Sequence, residues 1–190
     1  KIQKYIAYIQ EQIATMEYRV IPDLQRKKWA TFYIDDIFTI HSGKRFVSES
    51  MHPGTRPFIG ATDSGNGITN YVSDTNSSLD QNVLGVNYDG NGMVISFYHP
   101  YECIFSDSVK RFHLKQHKDN KFILLFMKTV ILQQKSKYHY GYKFNSNRMA
   151  RQIIALPVNE QGEPDYNYME QYSKNLILQK YQQYLAYKGV

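Results

Sequence analysis

Residues 83–106 read VLGVNYDGNGMVISFYHPYECIFS, a series of short apolar and β-branched runs separated by residues that favour turns. Residues 83–87, 92–98 and 101–106 have the length and composition of β-strands. The turn between the first two runs, residues 88–92, contains Asp, Asn and two Gly, which tolerate positive φ. The stretch therefore predicts a β-rich fold with a hairpin at its centre.

Similar strand-like segments lie on both sides of this hairpin in the sequence. Residues 31–38, 57–60 and 153–156 predict further strands, whereas residues 122–134 repeat their apolar positions with helical spacing. Strands and helices mixed in this way predict an α+β fold. We assign residues 23–158 to a β-rich globular domain.

Residues 1–22 predict a helix of coiled-coil type, because their apolar positions alternate at spacings of four and three and Pro22 ends the segment. This N-terminal stripe consists of Ile2, Ile6, Ile9, Ile13 and Met16. A helix this short is marginally stable alone. We therefore expect its stripe to pack against a partner helix.

Residues 159–190 predict a second such helix, capped by Asp165 and ending near Lys188. Its C-terminal stripe consists of Met169, Tyr172, Leu176, Ile177 and Tyr184, beside a second stripe of Leu178, Tyr181 and Leu185. Two apolar faces suit more than one neighbour. We expect the terminal helices to bind each other, another protein, or a second copy of the chain as a homodimer.

The composition is that of a folded chain, with 42% hydrophobic and 21% charged residues. No apolar run approaches the roughly 18 residues that a membrane span requires, and no secretory signal is visible. The single cysteine, Cys103, lies beside Ile104 and Phe105, which predicts a buried, reduced thiol. These features predict a cytoplasmic protein with no membrane partner.

Positive charge is concentrated in one part of the chain. The net charge is +6, and residues 107–151 contain eleven Lys or Arg but two acidic residues. Aromatic residues interleave with these cations, namely Phe112, Phe122, Tyr138, Tyr140, Tyr142 and Phe144. A nucleic acid is the first candidate partner for such a segment. A solvated basic surface with no partner is the alternative.

Catalytic motifs are absent from the sequence. It has no phosphate-binding glycine loop, no Asn/Asp-Pro-Pro-aromatic motif and no Glu-x-Lys tripeptide. Asp35 and Asp36 would face opposite sides of a strand, so we assign them structural or capping roles. His113 and His117 are spaced as on one helix face but lack further ligands, so we expect polar surface residues, and His99 a turn or packing residue. We predict no enzyme activity, no cofactor and no metal.

Four segments in order carry a resemblance to a known family: WATFYIDDIFTIHSGKRF at 29–46, RPFIGATDSGNGITNYV at 56–72, DGNGMVISFYHPYECIFSDSVKRF at 89–112 and IIALPVNEQGEPDYNYMEQY at 153–172. Together they resemble a target recognition domain of the DNA-specificity subunits of type I restriction-modification systems. The variant shared with BcgI-type type II enzymes is especially similar. The Gly43-Lys44-Arg45 turn and the Leu156-Pro157 boundary match the family pattern, whereas residues 158–168 depart from the usual type I helix start.

The resemblance implies a protein without catalysis of its own. Its β-rich domain would read one half of a bipartite site in double-stranded DNA. Its helices would serve as spacers and would dock the DNA methyltransferase (modification) subunits, with a restriction subunit as a further partner. The residues of both apolar stripes become the expected partner-binding set.

Within that family, particular residues become candidates for DNA contact. The cations expected at phosphates are Lys44, Arg45, Lys110, Arg111, Lys135, Lys137, Lys143 and Arg151. Asn145, Asn147 and Arg148 follow the aromatic run in a polar loop, and their side chains have the bidentate geometry that base reading needs.

The leading hypothesis is a DNA-binding specificity subunit, or one half of such a subunit, and three alternatives to it stay open at this point. The first is the recognition domain of a fused type II methyltransferase-endonuclease. A protein-interaction module with an incidental basic surface belongs to another class. A hydrolase is the third alternative, although no convergent acid and base residues can be assembled from the sequence.

Overall fold

The fold is given by a computed structural model, which describes residues 1–90 and 92–190. Asn91, part of the predicted hairpin turn, lies outside the described residues. The helices are α1 (Ile2–Thr15), α2 (Ile34–Ile37), α3 (Lys121–Leu132), α4 (Ser146–Arg151) and α5 (Tyr166–Lys188). The strands are β1 (Trp29–Tyr33), β2 (Phe38–Ser42), β3 (Pro53–Ile59), β4 (Ile68–Val72), β5 (Val83–Asn87), β6 (Ser96–His99), β7 (Ile104–Phe105), β8 (Val109–Leu114) and β9 (Ile153–Pro157).

The chain forms two compact units. One comprises residues 30–156, and the other comprises residues 1–29 with 157–190. The larger unit lies within the domain predicted at residues 23–158, and the exact domain limits stay a prediction. The mixture of sheets and helices confirms the α+β class.

The larger unit is built on an antiparallel sheet with strand order β2-β8-β5-β6. A second sheet has the order β4-β3-β7, in which β3 and β7 run parallel, and β1 pairs with β9. Helix α3 packs on β5 and β6 and buries Ile123, Leu124 and Met127. Phe38 and Phe112, from the adjacent strands β2 and β8, are also fully buried in this core.

Several sequence predictions hold in this unit. Strand β5 has the predicted bounds, and its antiparallel pairing with β6 confirms the hairpin. Helix α3 confirms the helix predicted at 122–134, and Asn120 caps it by accepting hydrogen bonds from the amides of Phe122 and Ile123. Cys103 is buried as predicted.

Other strand predictions were wrong in their limits. The strand predicted at 31–38 is interrupted by the single turn α2, because the Asp36 carboxylate accepts a hydrogen bond from the Tyr33 amide at 3.1 Å. Asp35 and Asp36 therefore lie on this turn, and Asp36 takes the predicted capping role. The strand predicted at 92–98 begins at Ser96, because Val94 has a φ of 68° and its amide bonds back to the Asn87 carbonyl. Strand β7 occupies two residues of the predicted 101–106.

In the smaller unit α1 contacts α5. Ile6 and Ile9 of α1 are buried, as are Met169 and Leu178 of α5, and the Tyr5 and Tyr184 rings meet edge to face at 5.4 Å. Asp165 caps α5 as predicted, accepting from the Tyr168 amide.

Helix α1 ends at Thr15, earlier than predicted, because side chains of α5 bind the backbone that follows. The Gln171 amide donates to the Glu17 carbonyl at 2.9 Å, and the Asn175 amide donates to the Arg19 carbonyl at 2.6 Å. Met16 is the extended C-cap of α1 and is half-buried, as is Ile13. Within the described ranges, no helix combines the length and the apolar character that crossing a bilayer requires.

Candidate nucleic-acid interface

Residues 135–151 contain five Lys or Arg and no Asp or Glu. They form a 3₁₀ turn at Lys135–Lys137, a tight hairpin and helix α4. Lys135, Lys137 and Arg151 are exposed. We call this segment the basic hairpin segment, and it contains most of the residues predicted to bind DNA.

A two-residue turn forms the hairpin. The amide of His139 donates to the Tyr142 carbonyl at 3.3 Å and the amide of Tyr142 donates to the His139 carbonyl at 2.8 Å, which leaves Tyr140 and Gly141 at the tip. Sequence reasoning missed this hairpin, because the central Tyr140-Gly141 pair is not one of the Asn-Gly, Asp-Gly or Gly-first pairs that signal a two-residue turn.

Aromatic packing holds the stem of this hairpin. The ring of Tyr138 stacks on Tyr142 with centroids 5.8 Å apart and tilts against Phe144 at 4.5 Å. Phe144 is fully buried, and the Tyr138 hydroxyl donates to Gln152 Oε1 at 2.7 Å. The stem is therefore anchored to the core, which fixes the position of the tip.

Helix α4 begins with a side-chain cap. Asn145 Oδ1 accepts from the Arg148 amide at 3.1 Å, and Arg148 Nη1 donates to the Lys143 carbonyl at 2.8 Å. Two of the three predicted base-reading side chains thus stabilise local structure. Asn147 is exposed on α4.

Lys143 is engaged by an acidic residue from elsewhere in the sequence. Its Nζ lies 2.7 Å from Asp89 Oδ2. This hydrogen bond lowers the pKa of Asp89 and raises the pKa of Lys143. The charge of Lys143 is therefore partly balanced within the protein. The sequence analysis had predicted a phosphate contact for this residue.

Lys110 and Arg111, both predicted to bind phosphate, are each only 9% exposed, so the structure corrects that expectation. They lie on β8, an inner strand that the sequence analysis did not predict. Lys110 Nζ donates to Ser42 Oγ at 2.9 Å, and burial lowers the Lys110 pKa. Arg111 donates to Asp80 Oδ2 and to the Ser42 carbonyl, each at 2.9 Å. Both side chains are structural.

Lys44 and Arg45 lie exposed in the loop after β2. The loop is held where it is by the Lys44 amide, which donates to the Phe105 carbonyl at 2.8 Å, and by the close approach of Gly43 to the backbone. A Cβ at Gly43 would lie 1.9 Å from the Ser106 carbonyl oxygen, so only glycine fits. Arg45 lies 3.9 Å from Asp107 at the surface.

His113 is not on a helix with His117, as the spacing suggested, but on β8 between two carboxylates. Its Nδ1 lies 2.6 Å from Asp119 Oδ2 and its Nε2 lies 2.9 Å from Asp80 Oδ2. These hydrogen bonds raise the His113 pKa to about 9, so the ring is a charged structural cation at neutral pH. It is half-buried, not a surface residue.

His99 and Cys103 are two further buried groups whose pKa values are shifted. Burial lowers the His99 pKa to about 4 and raises the Cys103 pKa to about 12. The His99 ring packs against Phe105 at 5.4 Å, which confirms a packing role. Across the described part of the chain, no group of three or more His, Cys, Asp or Glu residues is arranged to hold a metal ion.

The predicted partner-binding stripes are divided between interior and surface. Ile6, Ile9 and Met169 are buried within the smaller unit, whereas Ile2 and Leu176 are exposed. Ile13, Met16, Tyr172, Ile177 and Tyr184 are half-buried.

Two solved structures that share this fold are specificity subunits, one of them described as the S subunit of a type I restriction-modification system. The S subunit from M. genitalium matches with a TM-score of 0.57 and 16% identity, covering 95% of this chain and 46% of that one. The HsdS subunit from Thermoanaerobacter tengcongensis matches with a TM-score of 0.54 and 16% identity, covering 97% of this chain and 45% of that one. At such identities the likeness establishes the fold.

Residues 26–185 match the family model described as the type I restriction modification DNA specificity domain, and the chain belongs to that family. A curated relative, the specificity subunit S.BcgI of a type II restriction enzyme from Heyndrickxia coagulans, is 56% identical over 164 residues. The resemblance to the BcgI-like variant is thereby confirmed. The match covers 86% of this chain and 47% of that relative, so the chain spans about half the relative's length.

Proposed function

We propose that this chain is a sequence-specific, non-catalytic DNA-binding specificity subunit of a restriction-modification complex, or one half of such a subunit. The observation that carries the proposal is the basic hairpin segment, which presents exposed cations with no acidic residue of its own. A locally positive surface attracts the phosphate backbone. Membership of the specificity-domain family supports this reading.

Phosphate contacts orient such a protein on the duplex, and base contacts select the sequence. Five exposed cations form the proposed phosphate-contact set: Lys44, Arg45, Lys135, Lys137 and Arg151. Asn147 remains a proposed base-reading residue, because its amide is exposed on α4. Asn145, Arg148 and Lys143 position this surface through the bonds described above.

The helices of the smaller unit are proposed to dock the methyltransferase subunits, and through them a restriction subunit. Ile2 and Leu176 are apolar yet exposed, which favours a protein contact at these positions. Because the chain spans about half of its curated relative, we propose that it reads one half of a bipartite site. A second copy or a second domain would read the other half.

Salt dependence of duplex binding tests the DNA-binding role. The intact chain is titrated into a labelled duplex of about 30 base pairs at about 50 and 200 mM salt, with fluorescence anisotropy as readout. About five phosphate contacts predict a loss of affinity of roughly a hundredfold or more over this range. Absence of salt-sensitive binding would instead favour a protein-interaction module.

A further inference from the structure

The tip of the basic hairpin segment presents an aromatic ring to solvent. Tyr140 is 91% exposed, whereas its neighbours Tyr138 and Phe144 are packed into the stem and core. A large aromatic side chain exposed to this degree at the end of an anchored hairpin gains little from folding. Its exposure is better explained by a contact made with a binding partner.

The surroundings of Tyr140 identify the chemistry of that partner. Lys135 and Lys137 lie exposed just before the hairpin, and the Lys143 ammonium lies 6.0 Å from the centroid of the Tyr140 ring. Lys135 and Lys137 would hold a polyanion at this surface, whereas the charge of Lys143 is partly balanced by Asp89. The Tyr140 ring is the apolar group beside these side chains. A nucleic acid offers both a phosphate backbone and apolar base surfaces, so its chemistry fits the pair.

The shape of the hairpin indicates which part of a nucleic acid it contacts. The hairpin is narrow, because a two-residue turn closes it at the single His139–Tyr142 bridge. The major groove of B-DNA admits elements as wide as an α-helix or a two-stranded ribbon, so this tip fits within it. Gly141 carries no side chain, so the Tyr140 ring is the one side chain at the two-residue tip.

We propose that the hairpin tip enters the major groove of duplex DNA and that the Tyr140 ring contacts base edges there, which makes Tyr140 a specificity-determining residue. This inference rests on the proposed DNA-binding function and adds to it the element and the ring that touch the bases. The flanking cations hold the backbone, and the anchored stem holds the ring at a fixed depth.

Selection of bound sequences from a random duplex pool tests this contact. The intact chain is compared with Tyr140→Ala, Tyr140→Phe and a control, Tyr71→Ala, which removes a tyrosine that is 57% exposed on β4. Thermal unfolding verifies that each variant folds. Affinity for the selected duplex and its salt dependence are then measured for all four proteins.

Tyr140→Ala is expected to weaken binding to the selected duplex about tenfold and to relax the motif at one or two adjacent positions, because a contact with base edges in the groove is lost. The slope of log affinity against log salt stays unchanged, because no phosphate contact is lost. Tyr140→Phe keeps the ring and stays within about twofold of the parent chain, as does Tyr71→Ala.

An unchanged motif and affinity for Tyr140→Ala would overturn the Tyr140 contact while leaving the proposed function standing. Equal losses in Tyr140→Ala and Tyr140→Phe would overturn the ring contact. A parent chain that selects no motif would contradict the proposed function itself, and the Tyr140 contact with it.

Discussion

The guanidinium carbon of Arg148 lies 3.8 Å from the centroid of the Tyr142 ring, so a cation–π contact joins helix α4 to the stem of the basic hairpin segment. Arg148 also donates to the Lys143 carbonyl from the same guanidinium group. These two contacts join the hairpin to α4. They would hold the tip and the neighbouring cations in a fixed arrangement.

Removing this contact is expected to loosen the hairpin. Arg148→Ala loses a cation–π contact and a charged hydrogen bond, and should lower the free energy of unfolding by about 1–2 kcal/mol. Amide exchange at Tyr142 should accelerate as well. Asn147→Ala, an exposed change on the same helix, is the control and should leave both measurements unchanged; equal effects of the two variants would contradict the coupling.

Arg111 is expected to matter for stability and not directly for DNA. Arg111→Ala removes the guanidinium 2.9 Å from Asp80 and leaves the charged His113 ring as the remaining cationic partner of that carboxylate. The free energy of unfolding should fall by roughly 1.5–3 kcal/mol in urea denaturation, because a hydrogen bond between charged groups is lost. Lys137→Ala, at an exposed position, should change it by less than about 0.5 kcal/mol. A stable Arg111→Ala protein with weakened duplex binding would restore the phosphate-contact role.

Stability should fall with alkaline pH because of His113. The folded pKa of about 9 lies above the unfolded value of 6.5, so the stabilisation is complete below pH 6.5 and is lost as the pH rises through 9. The shift sets an upper limit of about 3 kcal/mol. The charged or titratable groups around His113 include Asp80, Asp119 and Arg111. They also include the His41 ring, whose centroid lies 5.8 Å from the centroid of the His113 ring.

Denaturation at pH 6 and pH 9.5 measures this difference, and His113→Gln should abolish most of it. At the acid end, the lowered Asp80 pKa predicts a separate loss of stability as the pH falls through the folded Asp80 pKa, below its usual 3.8. A His113→Gln protein with the same alkaline loss as the parent would show that another group titrates.

Charge reversal at the exposed cations should weaken binding to every duplex. Lys135→Glu with Lys137→Glu removes two phosphate contacts and should reduce the salt slope by about two. Lys143 is left unchanged, because it pairs with Asp89. Lys180→Glu with Lys188→Glu makes the same net change on α5 and is the control. Equal weakening by both pairs would indicate a general effect of net charge.

The exposed apolar residues of the smaller unit should govern methyltransferase association. Leu176→Asp changes a side chain that is 44% exposed and should abolish co-purification without lowering the melting temperature. Gln183→Asp, an exposed change on the same helix, should leave it intact. Ile9→Asp buries a charge and should instead destabilise the unit by several kcal/mol. Retained association of Leu176→Asp would place the docking surface elsewhere.

Local signals were sufficient where the structure is locally determined. The helix capped by Asp165, the helix that ends at Leu132 and strand β5 were predicted correctly. Each of these elements is determined by residues that lie close together in the sequence. Asn145 is an equally local cap, but residues 145–148 were predicted to be a polar loop, so helix α4 was missed.

The remaining features depend on distant partners. Lys110 and Arg111 look like surface cations in sequence, but Ser42 and Asp80 lie far from them along the chain and satisfy them inside the sheet. The aromatic run at 138–144 likewise did not indicate which ring is exposed. That follows from the stacking of Tyr138 and the burial of Phe144, which leave Tyr140 at the tip.

Methylation mapping is the most direct test of the specificity role. The chain is co-purified with the methyltransferase encoded beside it, and DNA exposed to the complex is sequenced for modified bases. We expect a stable complex that methylates one defined motif. A complex that methylates without sequence preference, or the failure of any complex to form, would contradict it.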